Sequence, residues 1–147
     1  MAKFRFRLEA ALRLAERSLE EQQRLLAQEI QKHFSLQKAC QDQERVWQFA
    51  LLGQEEACRT SPQDLGLWQS FTQKQIELLR YIAEEVSQQE KVVIQQRQRL
   101  LEAHQDTEKL KKLKEKQRAA FNLKEQRREQ AVLDEAGQIM FGRRSSL

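Results

Sequence analysis

The side chains in this chain best suited to chemistry are two histidines, two cysteines and 22 carboxylates, and their spacing does not gather them into a site. Cys40 and Cys58 form neither a metal-ligand spacing nor a disulfide framework. Cys40 falls where a small apolar residue suits a helix–helix seam. His33 stands in an apolar stripe with no second His or Cys at metal spacing, so it reads as a tolerated seam residue rather than a ligand or base. The four glycines are scattered and form neither G-x-x-x-x-G-K nor G-x-G-x-x-G, which excludes the common phosphate loops. A carboxylate needs a water-excluded pocket to shift its pKa toward catalysis, and a narrow pair of helices encloses none. The expectation is a non-enzyme with no catalytic residue, no metal and no cofactor.

Binding chemistry is better represented. Residues 109–128 hold nine basic residues, among them Lys109, Lys112, Lys116, Arg118, Arg127 and Arg128, against only Glu115 and Glu125. Such a run suits a solvated helix face, an acidic protein surface or a nucleic-acid backbone. A second cluster, Trp47, Phe49, Trp68 and Phe71, brackets a turn signal. These rings either pack on one another to pin the turn or present an aromatic anchor to a partner.

The elements that position these groups follow from periodicity. Leu79, Val86, Val93 and Leu100 fall seven apart, and Trp68, Ile82, Ala103 and Leu110 complete the offset of an a/d heptad. Gln75, Gln89 and Gln96 interrupt the stripe, so the seam is not a strong hydrophobic zipper. A third of the residues are charged, mean hydropathy is −0.81, and there is one Pro, as in long-helix proteins. The first helix, with the stripe Leu8, Leu12, Ala15, Leu19, Leu26, Ile30, is expected over about 4–58, with Phe4-Arg5-Phe6-Arg7 as a partly extended lead-in. A tip loop is expected over about 53–62, opening at Gly53. Ser61-Pro62-Gln63-Asp64 then reads as an N-cap, a first-position proline and an acidic first turn. The second helix is expected over about 63–137, ending at Gly137, with a flexible tail over 138–147. The fold class is all-α: one long antiparallel two-helix coiled-coil hairpin, placing Leu19 near Leu100, Leu26 near Val93 and Cys40 near Leu79. Everything beyond about Gln117 then overhangs its partner, with Phe121, Leu123, Val132, Leu133, Ile139 and Met140 among the uncovered residues. No signal peptide or membrane span is evident, which implies the cytosol.

The opening Phe4-x-Phe6-x-Leu8 with Leu12 and Leu14, the long hairpin and the closing block together resemble the FliJ family of the flagellar type III export apparatus. That block runs Arg97-x-Arg99-Leu100, Glu108-Lys109-Leu110, Leu113, Lys116-Gln117, Glu125, Arg128-Glu129-Gln130 and Leu133-Asp134-Glu135. The YscO-like stalk of virulence secretion systems shares this architecture. The resemblance implies a coiled coil like that of the rotary ATPase gamma subunit. It implies insertion into the hexameric export ATPase FliI, contact with the cytoplasmic domain of the gate protein FlhA, and escort of export chaperones. The location implied is the cytoplasmic face of the inner membrane at the flagellar base, held there through partners. On this view Phe4, Phe6, Leu8, Lys109, Lys112, Lys116, Arg118, Arg127 and Arg128 meet the ATPase, and Trp47, Phe71 and Leu78 meet the gate. No nucleic acid is expected, because the basic run carries few aromatics. A self-associating coiled coil and a basic nucleic-acid-binding hairpin are the competing readings.

Overall fold

The computed structural model describes residues 2–145. Two long helices pack against each other, with no strand among the described residues, so the all-α hairpin holds. Helix α1 spans Glu9–Thr60, a 3-10 turn spans Pro62–Asp64, and helix α2 spans Leu65–Ser145. The packing falls into two compact units, Glu20–Glu102 and Met1–Leu19 with Ala103–Leu147.

In the unit Glu20–Glu102 the heptad rows face inward. Ala50, Ala57 and Val93 are buried, with Leu26, Leu36, Leu79, Ile82 and Val86 half-buried around them. The glutamines that interrupt the stripe are not gaps. Gln96 Nε2 donates to Gln22 Oε1 at 2.6 Å, Gln89 Nε2 to Glu29 Oε2 at 2.7 Å, and Gln43 Nε2 to Gln75 Oε1 at 2.7 Å. Each amide also reaches the backbone carbonyl of the same partner residue, at 3.4, 2.9 and 3.1 Å. A satisfied hydrogen bond of this kind adds only about 0.5–1.5 kcal/mol net, but leaving its groups buried and unpaired costs more. The polar layers therefore act mainly on register, as a seam asparagine does in a coiled coil. The pairing they fix lies within a turn of the expected Leu26–Val93 and Cys40–Leu79 register.

The tip is tighter than the sequence suggests. Gly53 does not open a loop: α1 runs through it to Thr60, because one glycine costs a helix about 1 kcal/mol without terminating it. Gly53 instead makes room for the Trp68 ring, which lies against its Cα. Ser61 precedes the turn as expected, but its side chain makes no capping bond; its carbonyl accepts from the Asp64 amide at 2.9 Å. Pro62 takes the first position of the 3-10 turn, and the α-helix begins at Leu65 rather than at 62 or 63.

In the other unit, α1 begins at Glu9 rather than near residue 4; residues 2–6 form no regular element and Arg7–Leu8 turn into the helix. Their alternation explains this. Phe6 turns inward and is buried, Phe4 is half-buried, and Lys3, Arg5 and Arg7 stay exposed. The Glu9 amide donates to Phe6 O at 3.1 Å and the Leu12 amide to Leu8 O at 2.9 Å, which closes the turn into the helix. A non-helical chain can advance further per residue than the 1.5 Å of a helix, so the five steps from Glu9, beside Lys114, to Phe4, beside Phe121, span seven steps of α2. Phe4 meets Phe121, and Ala2 lies by Glu125 and Val132. Coverage of α2 thus does not stop at Gln117. The second helix also does not end at Gly137: nothing crowds that residue, no described glycine has a positive φ, and α2 continues to Ser145. The expected tail over 138–147 is therefore helical as far as Ser145, and its last two residues lie outside the described ones.

Candidate functional site

Two surfaces carry the residues singled out from the sequence, one in each unit. In the unit Glu20–Glu102, three rings form an edge-on series. Phe49 and Trp68 centroids are 6.1 Å apart, and Trp68 and Phe71 are 6.0 Å apart at 81°. Phe71 and Leu78, seven residues apart on α2, are both exposed. Trp47 is half-buried, in the seven-residue row of His33 and Cys40. The structure thus joins Phe71 to Phe49 and Trp68 rather than to Trp47. Val46, Phe49, Leu52 and Leu67 are exposed near the tip as well. Their heptad spacing is irregular, so a count of apolar periods passes over them.

The other unit carries the basic end. Lys114, at a seam position, places Nζ 2.8 Å from Glu9 Oε2, and Arg13 approaches the same carboxylate at 3.8 Å. The hydrogen bond from Lys114 holds the Glu9 carboxyl below the usual carboxylate range, with Arg13 and Arg118 adding to it against partial desolvation. Arg118 lies over the Phe4 ring, 5.7 Å from its centroid, and Phe4 sits 5.6 Å from Phe121. Arg118 and Phe4 are therefore engaged with each other, and Phe6 is taken up inside the unit. Leu8 is partly exposed at the helix start. Arg128 pairs with Glu125 at 3.5 Å. Lys109, Lys112, Lys116 and Arg127 are exposed and make no ion pair among the described residues. The first three fall at c and f heptad positions, away from the a/d seam.

Beyond Glu125 every residue through Arg144 is exposed, including Val132, Leu133, Ile139, Met140 and Phe141. On a helix of 3.6 residues per turn, Val132, Ala136 and Ile139 share a face with Phe121, the last ring covered by the lead-in. The seam face therefore continues past its covering elements. Phe121 itself, expected to overhang, is half-buried against Phe4.

The described residues form a helical hairpin whose candidate binding groups lie on its surface. No helix among the described residues is long and apolar enough to cross a membrane. The family model of the flagellar FliJ protein matches residues 4–146, nearly the whole sequence, and the chain belongs to that family. It is accordingly a component of the flagellar type III export system, in a family of structural export proteins. Neither a curated protein nor a solved structure matches the chain.

Proposed function

We propose that this chain is the central stalk of the flagellar export ATPase. The observation that supports this best is the exposed continuation of the seam face on α2, through Val132, Ala136 and Ile139, beside the unpaired bases of the same unit. An isolated helix draws little stability from propensity alone, and a face patterned to be covered calls for a partner. In this reading that end enters the pore of the hexameric ATPase FliI, promotes ring assembly and raises hydrolysis. Lys109, Lys112, Lys116, Arg127 and Arg128 are the contacts, with Phe4, Phe6 and Leu8 shaping the end rather than touching the ring. The tip surface of Phe71 and Leu78, enlarged by Phe49 and Trp68 and backed by Trp47, meets the cytoplasmic domain of FlhA. The same chain escorts export chaperones at the cytoplasmic face of the inner membrane, held there by its partners.

The test is ATP hydrolysis by the cognate export ATPase with and without this chain, with ring assembly followed by light scattering. Stimulation and assembly together are expected. Exposed ion pairs contribute only about 0–1 kcal/mol each, so the Arg127→Glu/Arg128→Glu double variant should need roughly tenfold more protein for half-stimulation. Unchanged stimulation by that variant would remove this end from the ATPase contact.

A further inference from the structure

Within the unit Glu20–Glu102 the seam has two flanks. Phe49 and Gly53 of α1 meet Trp68 of α2, and Trp68 meets Phe71, which marks one of them. With Leu79, Val86 and Val93 at heptad position a, Phe71 and Leu78 fall at g. A twofold axis normal to the flank relates two antiparallel helices, so like positions share a flank, and the e and b positions of both helices line the other one. That second flank carries Ile30 and Phe34 on α1 and Ile94 and Leu101 on α2, all exposed, with Phe34 at 63% and Ile94 at 65%. Apolar side chains gathered on an uncovered face mark an interaction surface.

Charge and size on this flank complement the flank itself. From Glu20 to Leu51 the α1 row holds two acids, Glu20 and Glu44, and no base. From Gln69 to Leu101 the α2 row holds Arg80 and Arg97, with Glu90 as its one acid. All five are exposed, and none makes an ion pair among the described residues. The Gln22–Gln96 bond sets Glu20 and Arg97 at levels within a turn of each other, and the Gln43–Gln75 bond sets Glu44 and Arg80 within two turns. By the Glu29–Gln89 bond, Phe34 stands level with the small Ala83 and Ser87, and Ile94 with Ala27. A second copy turned about a twofold axis along the helices lays the α1 row of each copy over the α2 row of the other at these levels. Glu20 then meets Arg97, Phe34 meets Ala83 and Ser87, and Ile94 meets Ala27, each contact occurring twice, as in any isologous interface. From Glu20 to Glu44 the flank is about 36 Å long and two helices, about 20 Å, wide. It thus offers about 700 Å² per copy, near the roughly 800 Å² of a standard interface.

We propose that this flank binds a second copy of the same chain, giving a twofold four-helix dimer in which α1 of each copy runs antiparallel to α2 of the other. The surface lies across the seam from Phe71 and Leu78, so self-association neither requires nor blocks the gate contact and does not rest on the stalk reading.

The test is sedimentation equilibrium of the full chain at low salt, from about 1 µM to about 1 mM, a range that spans the affinities of small mixed interfaces. The mass should rise from one chain to two. Glu20→Arg and Arg97→Glu each place like charges at both contacts and should each weaken dimerisation about tenfold. Mixed in equal amounts, the two variants restore opposite charges at both contacts, and the mixture should dimerise as the parent does. Ile94→Asp should weaken dimerisation at least about tenfold, by setting an unpaired carboxylate in the interface. Glu85→Arg, the same charge change at an exposed g position of the other flank, should alter it by less than about twofold. A chain that stays monomeric at about 1 mM would overturn the proposal and leave the flank to a different protein. A mixture of Glu20→Arg with Arg97→Glu no heavier than either variant alone would overturn it too, as would an equal loss in Glu85→Arg. Assembly beyond two chains would overturn the closed twofold.

Discussion

Glycine to alanine at position 53 sets two effects against each other, and their magnitudes decide the sign. Inside a helix the substitution favours folding by about 0.8–1.0 kcal/mol, because glycine has more backbone freedom to lose. Gly53 lies inside α1, so this gain applies. A methyl group there would fall among the carbons of the Trp68 six-membered ring, 2.5 Å from Cε3 and nearer still to two others. If the ring stays, the overpacking costs about 1–3 kcal/mol. If it swings away, it gives up its edge-on contacts with Phe49 and Phe71, roughly 0.5–1.5 kcal/mol each, and uncovers part of the tip. Either route exceeds the helix gain. The net expectation is destabilisation by about 1–2 kcal/mol.

Gly66 supplies the opposite case in the same protein. It lies in the first turn of α2, and a methyl group added there would have nothing within 4 Å of it. Gly66→Ala should therefore stabilise by up to about 0.5 kcal/mol, the lower part of the glycine penalty because the residue is near a helix end. Urea unfolding followed by circular dichroism and tryptophan fluorescence reads both. The midpoint should fall for Gly53→Ala and rise slightly for Gly66→Ala, and the tryptophan emission of folded Gly53→Ala should shift to the red. A Gly53→Ala protein as stable as the parent would refute the account of why glycine stands there.

Three further outcomes follow from the contacts. Replacing both Gln22 and Gln96 by Leu removes a polar layer whole, and should stabilise by about 1–2 kcal/mol, while Gln96→Leu alone strands the Gln22 amide and gains less or loses; a thermodynamic double-mutant cycle checks this. Phe6→Ala empties a buried position in the lead-in, where about 3 kcal/mol is at stake; because the lead-in can detach alone, the loss should appear as faster amide exchange over residues 2–12 rather than as a matching fall in the global midpoint. Glu29 is held below the usual carboxylate range chiefly by its bond from Gln89, as Glu9 is by Lys114, so both contribute stability above the ordinary value of 4.5 that is lost as pH falls through their lowered values; urea midpoints should decline on acidification through that range, and Glu29→Gln should flatten the decline.

The heptad of α2 is legible in the sequence because its apolar members recur without a slip from Leu79 to Leu100, and it carries the fold class and the register with it. The polar cross-links are half legible. Gln75, Gln89 and Gln96 stand at seam positions, but Gln22, Glu29 and Gln43 are hidden, because an apolar count scores each as a missing contact and cannot see that two absences face each other. The lead-in shows its period-two alternation, and the pull of the following helix pattern outweighs it; the deciding fact, that Phe4 meets Phe121, lies more than a hundred residues away in sequence. Gly53 and Gly137 both look like breaks. One is a packing site for an indole and the other an uncrowded helical residue, a difference set by neighbours and not by glycine itself.

The basic end combines two opposed tendencies. Val132, Ala136 and Ile139 extend the face that Phe121 begins, yet all three are exposed, and Gly137 lowers the intrinsic helix stability of this stretch by about 1 kcal/mol. A helix of this length without tertiary support is marginal in water. Its helical order is thus thermodynamically linked to whatever covers the stripe: a partner that binds the helical form gains affinity from each increment of helicity and supplies that increment in return. An alanine at Gly137 would weaken this linkage by ordering the stretch in advance. It should raise helicity in the free protein and tighten partner binding, by at most the factor of about five that 1 kcal/mol represents. Unchanged affinity with raised helicity would show that the partner binds without requiring this segment to be helical.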